Sequence, residues 1–324
     1  MKKTYEKLTR LMGTTRLKTD EPLAPYTYFK IGGPADLFFI ATSGDELTKA
    51  IKAAIKSQVP YVVLGGGSNV LVGDKGFRGL VIKNRADKIK VRKYRGKIQG
   101  KQLALTAVKV EAESGVITNH LVRYTIHEGL AGLEYFLGVP GTIGGAIYNN
   151  AHFKNQLIGE RVSEVKLINK QGRERTRRGD QMKFAYDYSI LQKTGEVVTS
   201  VIFQLKGGDS RALWKKAEAF AHLRVQTQPL NFPSSGCMFK NPAREDGYGR
   251  RLLAQSAGWL IDKTGLKGLA VGGAMVSPKH ANFIINTGQA TAGDVLGLVA
   301  KVRTAVNKKF GVALKFEVFQ LGEF

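Results

Sequence analysis

Gly138-Val-Pro-Gly-Thr-Ile-Gly-Gly-Ala146 sets four glycines and one proline in nine positions. Glycine lets a backbone lie against a flat or charged group at very short range, because no Cβ holds the two apart. A close helix or sheet crossing accounts for one or two such glycines, whereas a bulky planar cofactor accounts for the whole cluster. A second glycine segment, Gly65-Gly-Gly-Ser-Asn69, follows directly on Tyr61-Val-Val-Leu64, an apolar run that reads as a buried strand. The successive N–H groups of such a loop suit a diphosphate. Neither segment is a standard nucleotide motif, since there is no GxGxxG and no Walker lysine. A tight turn accounts for the second segment as readily; read together, the two could hold the two ends of a dinucleotide, one the diphosphate and one the ring system.

Outward from these segments the chain alternates strand and helix signals. Ser43-Gly-Asp-Glu caps a helical run carrying Leu47, Ile51 and Ile55; Val70-Leu-Val72 is a second apolar run before a turn at Gly73-Asp74. Helical spacing runs from Ile117 to His127 and stops at Gly129. Strands are expected over 162–169 and 196–205 around a polar stretch at 170–181, and helices over 212–224, 252–264 and 293–309. Residues 229–242 read as turn chemistry. At the C-terminal end a strand over 312–318 puts Val312, Leu314, Phe316 and Val318 on one face and Glu317 on the other.

The chain has 324 residues, 43% of them apolar, enough for two or three cores. Its one cysteine excludes an internal disulfide and a cysteine-based zinc site and points to a reducing compartment. The five histidines show no metal spacing. The start, MKKTYEKLTRLMG, has no apolar core of a signal peptide, and no run approaches the roughly twenty apolar residues of a membrane span, so a cytoplasmic location is expected. Lys and Arg number 50 against 26 acids, a formal charge of +24 that attracts polyanions. The densest run, 84–101, alternates Ile89, Val91 and Ile98 with its charges as a solvated strand does. A basic sheet face explains it better than a nucleic-acid groove.

The cysteine, Cys237, stands inside Pro233-Ser-Ser-Gly-Cys-Met-Phe-Lys-Asn-Pro242, a loop-like segment in which Lys240 and Asn241 offer groups for anions and amides. A lone thiol is either a small buried hydrophobe or a working group, and local context leaves both open.

At this point the residues closely resemble a known family, the UDP-N-acetylenolpyruvoylglucosamine reductases. The resemblance rests on Tyr28-Phe-Lys-Ile-Gly-Gly-Pro-Ala35, Leu64-Gly-Gly-Gly-Ser-Asn-Val-Leu71 and Gly132 to Ala146. It continues through Gln228-Pro-Leu230, Pro233 to Pro242, Ala257-Gly258, Gly265-Leu-Lys-Gly268, Gly272-Gly-Ala274, His280-Ala-Asn-Phe283 and Gly311-Val312, and so runs nearly end to end. It implies an α+β chain: a two-part FAD-binding domain like that of vanillyl-alcohol oxidase and PCMH, plus a C-terminal α+β substrate domain. The divisions expected are 1–87 and 88–210 for FAD and 211–324 for the UDP-sugar, the last with a C-terminal strand carrying Glu317.

The implied reaction is NADPH-dependent, FAD-mediated reduction of an enolpyruvyl UDP-sugar to UDP-N-acetylmuramate for peptidoglycan. A hydride goes to the methylene carbon and a proton to the carbon bearing the carboxylate. FAD is expected against Gly65, Gly66, Gly67, Ser68 and Asn69, and against Gly138, Pro140, Gly141, Thr142, Ile143, Gly144 and Gly145. The family's acid is a serine where this chain has Cys237, and an ordinary thiol, of pKa about 8.5, is still mostly protonated at neutral pH. Glu317 falls at the family's enolate-polarising glutamate. Tyr186, Lys240, Asn241 and Asn282 fall at substrate positions.

One departure stands out: Asp187 occupies the position of the family's catalytic arginine, which reverses the local charge. Either a neighbouring basic residue such as Arg161 or Arg224 replaces it, or Asp187 turns outward, or the chemistry is altered. The partners expected are the UDP-sugar and NADPH, with no membrane, no specific nucleic acid and a monomeric state. The alternatives are a related FAD-linked oxidoreductase acting on another anionic sugar and a basic nucleic-acid-binding protein.

Overall fold

The structure is a computed structural model describing residues 2–13, 16–99, 102–245, 251–253 and 255–324; the Lys101 end of the basic run lies outside them. The chain forms two compact units. The first takes residues Met1–Thr19, Leu37–Gly66 and Gly79–Arg224, the second Asp20–Asp36, Gly67–Arg78 and Val225–Phe324.

The first unit has two hydrophobic cores. In one, the helix Gly44–Ser57 lays Leu47, Ala50, Ile51 and Ala54 against Leu37, Phe39, Leu80 and Ile82. The helix starts where the sequence says it should: Ser43 caps it, its side chain accepting from Glu46 N at 3.2 Å. The strand Tyr61–Leu64 pairs in parallel with residues 80–83 and delivers Gly65 at its end.

The other core lies under an antiparallel sheet ordered Glu174–Arg178, Val162–Ile168, Val197–Gly207, Gln102–Glu113, Ile89–Gln99. Val108, Val110, Val165, Leu167, Val201 and Phe203 bury one face beneath the helices Thr118–His127, Ile143–Tyr148 and Ser210–Thr227. The opposite face carries charge. Glu111 accepts from Lys166 Nζ and Ser200 Oγ, both at 2.8 Å, and pairs with Arg92, while Lys109 meets Glu164 at 2.7 Å. The basic run is thus an outer strand whose Arg92 is partnered by an acid of the next strand.

The second unit is a four-stranded antiparallel sheet, ordered Ser234–Cys237, Phe283–Asn286, Ala274–Val276, Ala270–Val271, backed by the helices Ala257–Lys263 and Ala292–Phe310. Its core contains Phe29, Ile31, Leu71, Phe239, Val295, Leu298, Val302 and Val318. Thr291 and Asp294 form a capping box, their reciprocal bonds both 3.0 Å. Asp74 adds its carboxylate to Ala292 N at 2.8 Å and Gly293 N at 2.9 Å.

Several segments differ from the sequence reading. Residues 170–181 contain the strand Glu174–Arg178, which has no apolar alternation and exists because Val162–Ile168 offers it a partner. Residues 252–264 divide into a strand, Arg251–Leu253, and a helix starting at Ala257. Two glycines do not prevent Ile143–Tyr148 from being helical. Within residues 312–318 only Phe316 makes a strand bridge, to Phe239, and the strand proper is Phe319–Leu321, parallel to Val70–Val72. Cys237 lies at the end of a strand rather than in a loop.

The Arg16 guanidinium, at 2.5 Å, together with the N–H of Thr42 holds the Glu46 carboxyl at about 2 instead of 4.5. A depressed folded-state pKa gives stability that is present above the unfolded value and lost as pH falls toward the folded one. Because both side chains are partly exposed, Glu46→Gln is expected to cost only on the order of 1 kcal/mol at pH 7. Denaturant unfolding should show the gap between parent and variant closing as pH is lowered from 5 to 2.

Candidate active site

In the first unit the two glycine segments meet backbone to backbone. A Cβ on Gly66 would lie 2.6 Å from Gly141 Cα, and one on Gly65 only 2.3 Å from Thr142 Oγ1. Gly144 packs on Ser114 somewhat less closely, its ideal Cβ 3.0 Å from Ser114 O. Gly138 and Gly141 have φ of +85° and +106°, where a side chain is strained. Close crossing and backbone conformation therefore account for more of these glycines than the sequence suggests. Gly145 is different, since the nearest atom to its missing Cβ is Thr142 Oγ1, 4.0 Å away. That hydroxyl is itself buried with no hydrogen-bond partner. The buried Lys83 donates to Gly65 O at 2.5 Å and fixes the end of the incoming strand.

The Ile143–Tyr148 helix runs from this cradle to a second cluster. Asn150, fully buried with φ +47°, accepts from Gly159 N at 3.0 Å and donates to Ala185 O at 2.8 Å. Ala185 and Tyr188 close a turn through reciprocal backbone bonds, and at its tip Asp187 has φ +49° and is 0% exposed. Gln192 Nε2 bonds Asp187 O at 2.9 Å, and Ser189 Oγ bonds Tyr148 O at 2.7 Å. The Asp187 carboxylate meets His152 Nδ1 at 3.3 Å, and the His152 ring lies on Tyr186 with centroids 4.7 Å apart. Burial pushes the His152 imidazole below its ordinary pKa, and Asp187 opposes that shift.

This corrects one expectation. Asp187 does not turn outward. Arg161 bonds Gly132 O through Nε at 3.4 Å, while Arg224 lies buried with its guanidinium 5.0 Å over the Phe153 ring. The fold also sets against Asp187 the ring of His152, a residue that sequence reasoning passed over because it looked only for metal spacing. Its signal is its place, two residues after an Asn-Asn pair that ends the glycine-rich helix.

In the second unit, Cys237 owes its direction to a bulge. Ser234 pairs with Ile285 and Cys237 with Phe283, so Ser235 and Gly236 together face Ile284. Gly236 takes φ +80°, with nothing within 4 Å of a Cβ placed there. A bulge of this kind bends the strand and re-aims the side chain after it. Asn282, 3% exposed, clamps the segment: Oδ1 accepts from Phe239 N at 3.0 Å and Nδ2 donates to Phe239 O at 2.8 Å. Both ends of this amide serve the backbone, so Asn282 acts by holding the thiol strand.

Glu317 N donates to Met238 O at 2.9 Å, and Lys240 N to Lys315 O at 2.9 Å, which lays half-buried Glu317 beside the Cys237 segment. Asn69 Nδ2 reaches Glu317 O at 3.4 Å. Gly67 has φ +71°, and a Cβ on it would strike Tyr26 O at 2.3 Å. Asn241 Oδ1 accepts from Ala257 N at 2.9 Å, at the start of the next helix.

An FAD binding domain model matches residues 35–177, and the chain shares its fold with p-cresol methylhydroxylase at a TM-score of 0.54, 11% identity, 98% of this chain and 89% of that one. The fold and cradle thus define an FAD-binding protein with a PCMH-like FAD-binding part and an α+β C-terminal part. The C-terminal domain model of UDP-N-acetylenolpyruvoylglucosamine reductase matches residues 228–321. The reductase of Heliobacterium modesticaldum is 39% identical over 303 residues, 94% of this chain and 90% of that protein. That of Carboxydothermus hydrogenoformans is 39% identical over 321 residues, 99% of each. The Thermus caldophilus reductase structure superposes at a TM-score of 0.73 with 32% identity, covering 94% of this chain and 98% of that one. The chain belongs to the UDP-N-acetylenolpyruvoylglucosamine reductase family.

The first unit's residues fit FAD. Gly145 leaves an open backbone beside the unsatisfied Thr142 hydroxyl, and both lie where the two glycine segments converge. Gly66→Ala, which forces a methyl onto Gly141, is expected to yield protein that is colourless or binds FAD at least about tenfold more weakly. Gly236→Ala meets no atoms and incurs only the backbone strain of about 1–2 kcal/mol. It should keep its flavin absorbance and lose turnover.

Proposed function

We propose that this chain reduces UDP-N-acetylglucosamine enolpyruvate to UDP-N-acetylmuramate, the NADPH-dependent step of peptidoglycan precursor synthesis. The observation that carries the reading is the bulged, clamped Cys237 strand lying beside Glu317, in a chain that also builds the flavin cradle. FAD, when bound, accepts a hydride from NADPH and supplies it to the methylene carbon of the enolpyruvyl group. Gly65 and Gly66, with Gly138 and Pro140 through Gly145, hold it in the first unit.

The Cys237 thiol donates its proton to the carbon bearing the carboxylate, so that hydride and proton together saturate the double bond. Glu317 acts on that carboxylate as negative charge develops, and Asn282 keeps the thiol strand in register. Lys240 supplies a point charge for the diphosphate, Asn241 a contact to the nucleotide sugar, and Tyr186 an apolar wall for the sugar. The reading keeps three parts, one for each hydrophobic core, and moves their bounds from 1–87, 88–210 and 211–324: residues 20–36 and 67–78 join the C-terminal part, and 211–224 the first unit. It takes the enzyme to be a cytoplasmic monomer, and no helix among the described residues is long and apolar enough to cross a membrane.

The test is anaerobic. NADPH should bleach the flavin at similar rates in the parent and in Cys237→Ala, and the enolpyruvyl UDP-sugar should restore its colour rapidly only in the parent, with the variant slowed by at least about a hundredfold. Restoration at equal rates would remove Cys237 from the chemistry, and no restoration in either would remove this substrate.

A further inference from the structure

Lys83 is a charged side chain where its strand has no packing use for one. The strand Phe77–Asn84 buries Leu80, Val81 and Ile82 completely, and Lys83, 8% exposed, follows them into the same interior. An apolar residue would fill that position without the cost of taking an ammonium out of water. The ladder explains where the charge goes. Leu64 pairs with Lys83, so the lysine stands beside the last residue of the Tyr61–Leu64 strand, and its Nζ donates to Gly65 O at 2.5 Å. That carbonyl takes one of the ammonium's donors and cancels none of its charge.

The same bond orients the glycine loop. In a trans peptide the carbonyl oxygen and the following N–H point to opposite sides, and the chain has no cis bonds. Drawing Gly65 O toward Lys83 therefore turns Gly66 N–H away from it, and that N–H has no hydrogen-bond partner among the described residues. Thr142 Oγ1 lies 2.3 Å from where a Cβ on Gly65 would be; it is buried, unpartnered, and part of a residue only 6% exposed. Asn84, next to Lys83, donates to Ser114 Oγ at 2.8 Å, and Ser114 O accepts from Gly144 N at 2.8 Å. The strand that carries the lysine is thus tied to both glycine segments. Two open donors, with an ammonium one peptide away, suit a phosphate oxygen better than a neutral ring.

We propose that Lys83 binds the diphosphate of FAD: a second donor of its ammonium goes to a phosphate oxygen, alongside Gly66 N–H and the Thr142 hydroxyl. Each phosphate brings a negative charge that backbone N–H groups meet only with partial ones, and Lys83 supplies a full one. The proposal rests on the FAD placement of the proposed function and is independent of which sugar is reduced.

The test uses the FAD-loaded enzyme. Phosphorus NMR reads the diphosphate, visible absorbance reads the ring, and the rise of flavin fluorescence after dilution reads cofactor release. Lys83→Gln keeps a donor for Gly65 O and removes the charge. It should move at least one diphosphate resonance, leave the flavin bands where they stand in the parent, and release FAD at least about tenfold faster, the scale of a charge-assisted hydrogen bond. Lys83→Arg keeps the charge and should release FAD more slowly than Lys83→Gln. Thr142→Val removes a hydroxyl with no partner in the protein and should move a diphosphate resonance as well.

Unmoved phosphorus resonances in Lys83→Gln, or release within about twofold of the parent, overturn the proposal and leave the function standing. Shifted flavin bands over unmoved phosphorus lines do the same, since they put the charge at the ring. If Lys83→Gln does not fold, Lys83→Arg decides: its broader head must move a diphosphate resonance if the residue touches the diphosphate, and an unmoved spectrum overturns the proposal. A parent that neither carries nor takes up FAD fails the functional reading, and the proposal with it.

Discussion

Gly141 Cα lies so close to Gly66 that a methyl group there would fall 2.6 Å from it. The rest of the first unit is arranged around this absence of two side chains. The strand Tyr61–Leu64 must end where it does for Gly66 to arrive, and Gly141 must take a φ of +106° to meet it. The helix that follows starts at Ile143, its first residues bonded to Val116 O and Ser114 O, and its far end sets the turn that carries Asp187. Cradle and turn are two ends of one short helix, so an error at the first propagates to the second.

The second unit solves a different problem with one glycine. A regular strand alternates its side chains between faces, and the two-against-one bulge at Ser235 and Gly236 breaks that alternation just before the thiol. The buried Asn282 amide then fixes the strand on the far side of Cys237 through both polar groups of Phe239. A reactive group needs this kind of support, because a side chain that must deliver a proton to one carbon is useless when it wanders.

Much of the fold was legible in the sequence. Ser43 and Glu46 announced a helix, Tyr61–Leu64 a strand, though of its residues only Leu64 is buried, and Gly129 a helix end, because each is local chemistry with a local consequence. Glu174–Arg178 was not legible, since a strand of charged residues is decided by the neighbour it pairs with. The bulge at Gly236 was hidden for the same reason: register is a property of two strands and the sequence shows one at a time. At the candidate site, local composition marked the glycines and drew notice to Cys237, while the family resemblance gave Cys237 and Glu317 their roles. The partnership of His152 with Asp187 joins residues 35 positions apart through a turn and a buried asparagine, and its one local sign is the Asn149-Asn150 pair just before His152.

The central claim is that this chain adds a hydride and a proton to opposite ends of one double bond, the proton coming from a solvent-exchangeable group. The most direct measurement is the position of label in the product formed from unlabelled NADPH in deuterated water, read by NMR under conditions where the flavin's own exchange with solvent is outrun by turnover. One deuterium is expected on the carbon bearing the carboxylate, with a methyl group carrying the nicotinamide hydrogen. Absence of deuterium from the carboxylate-bearing carbon would contradict it.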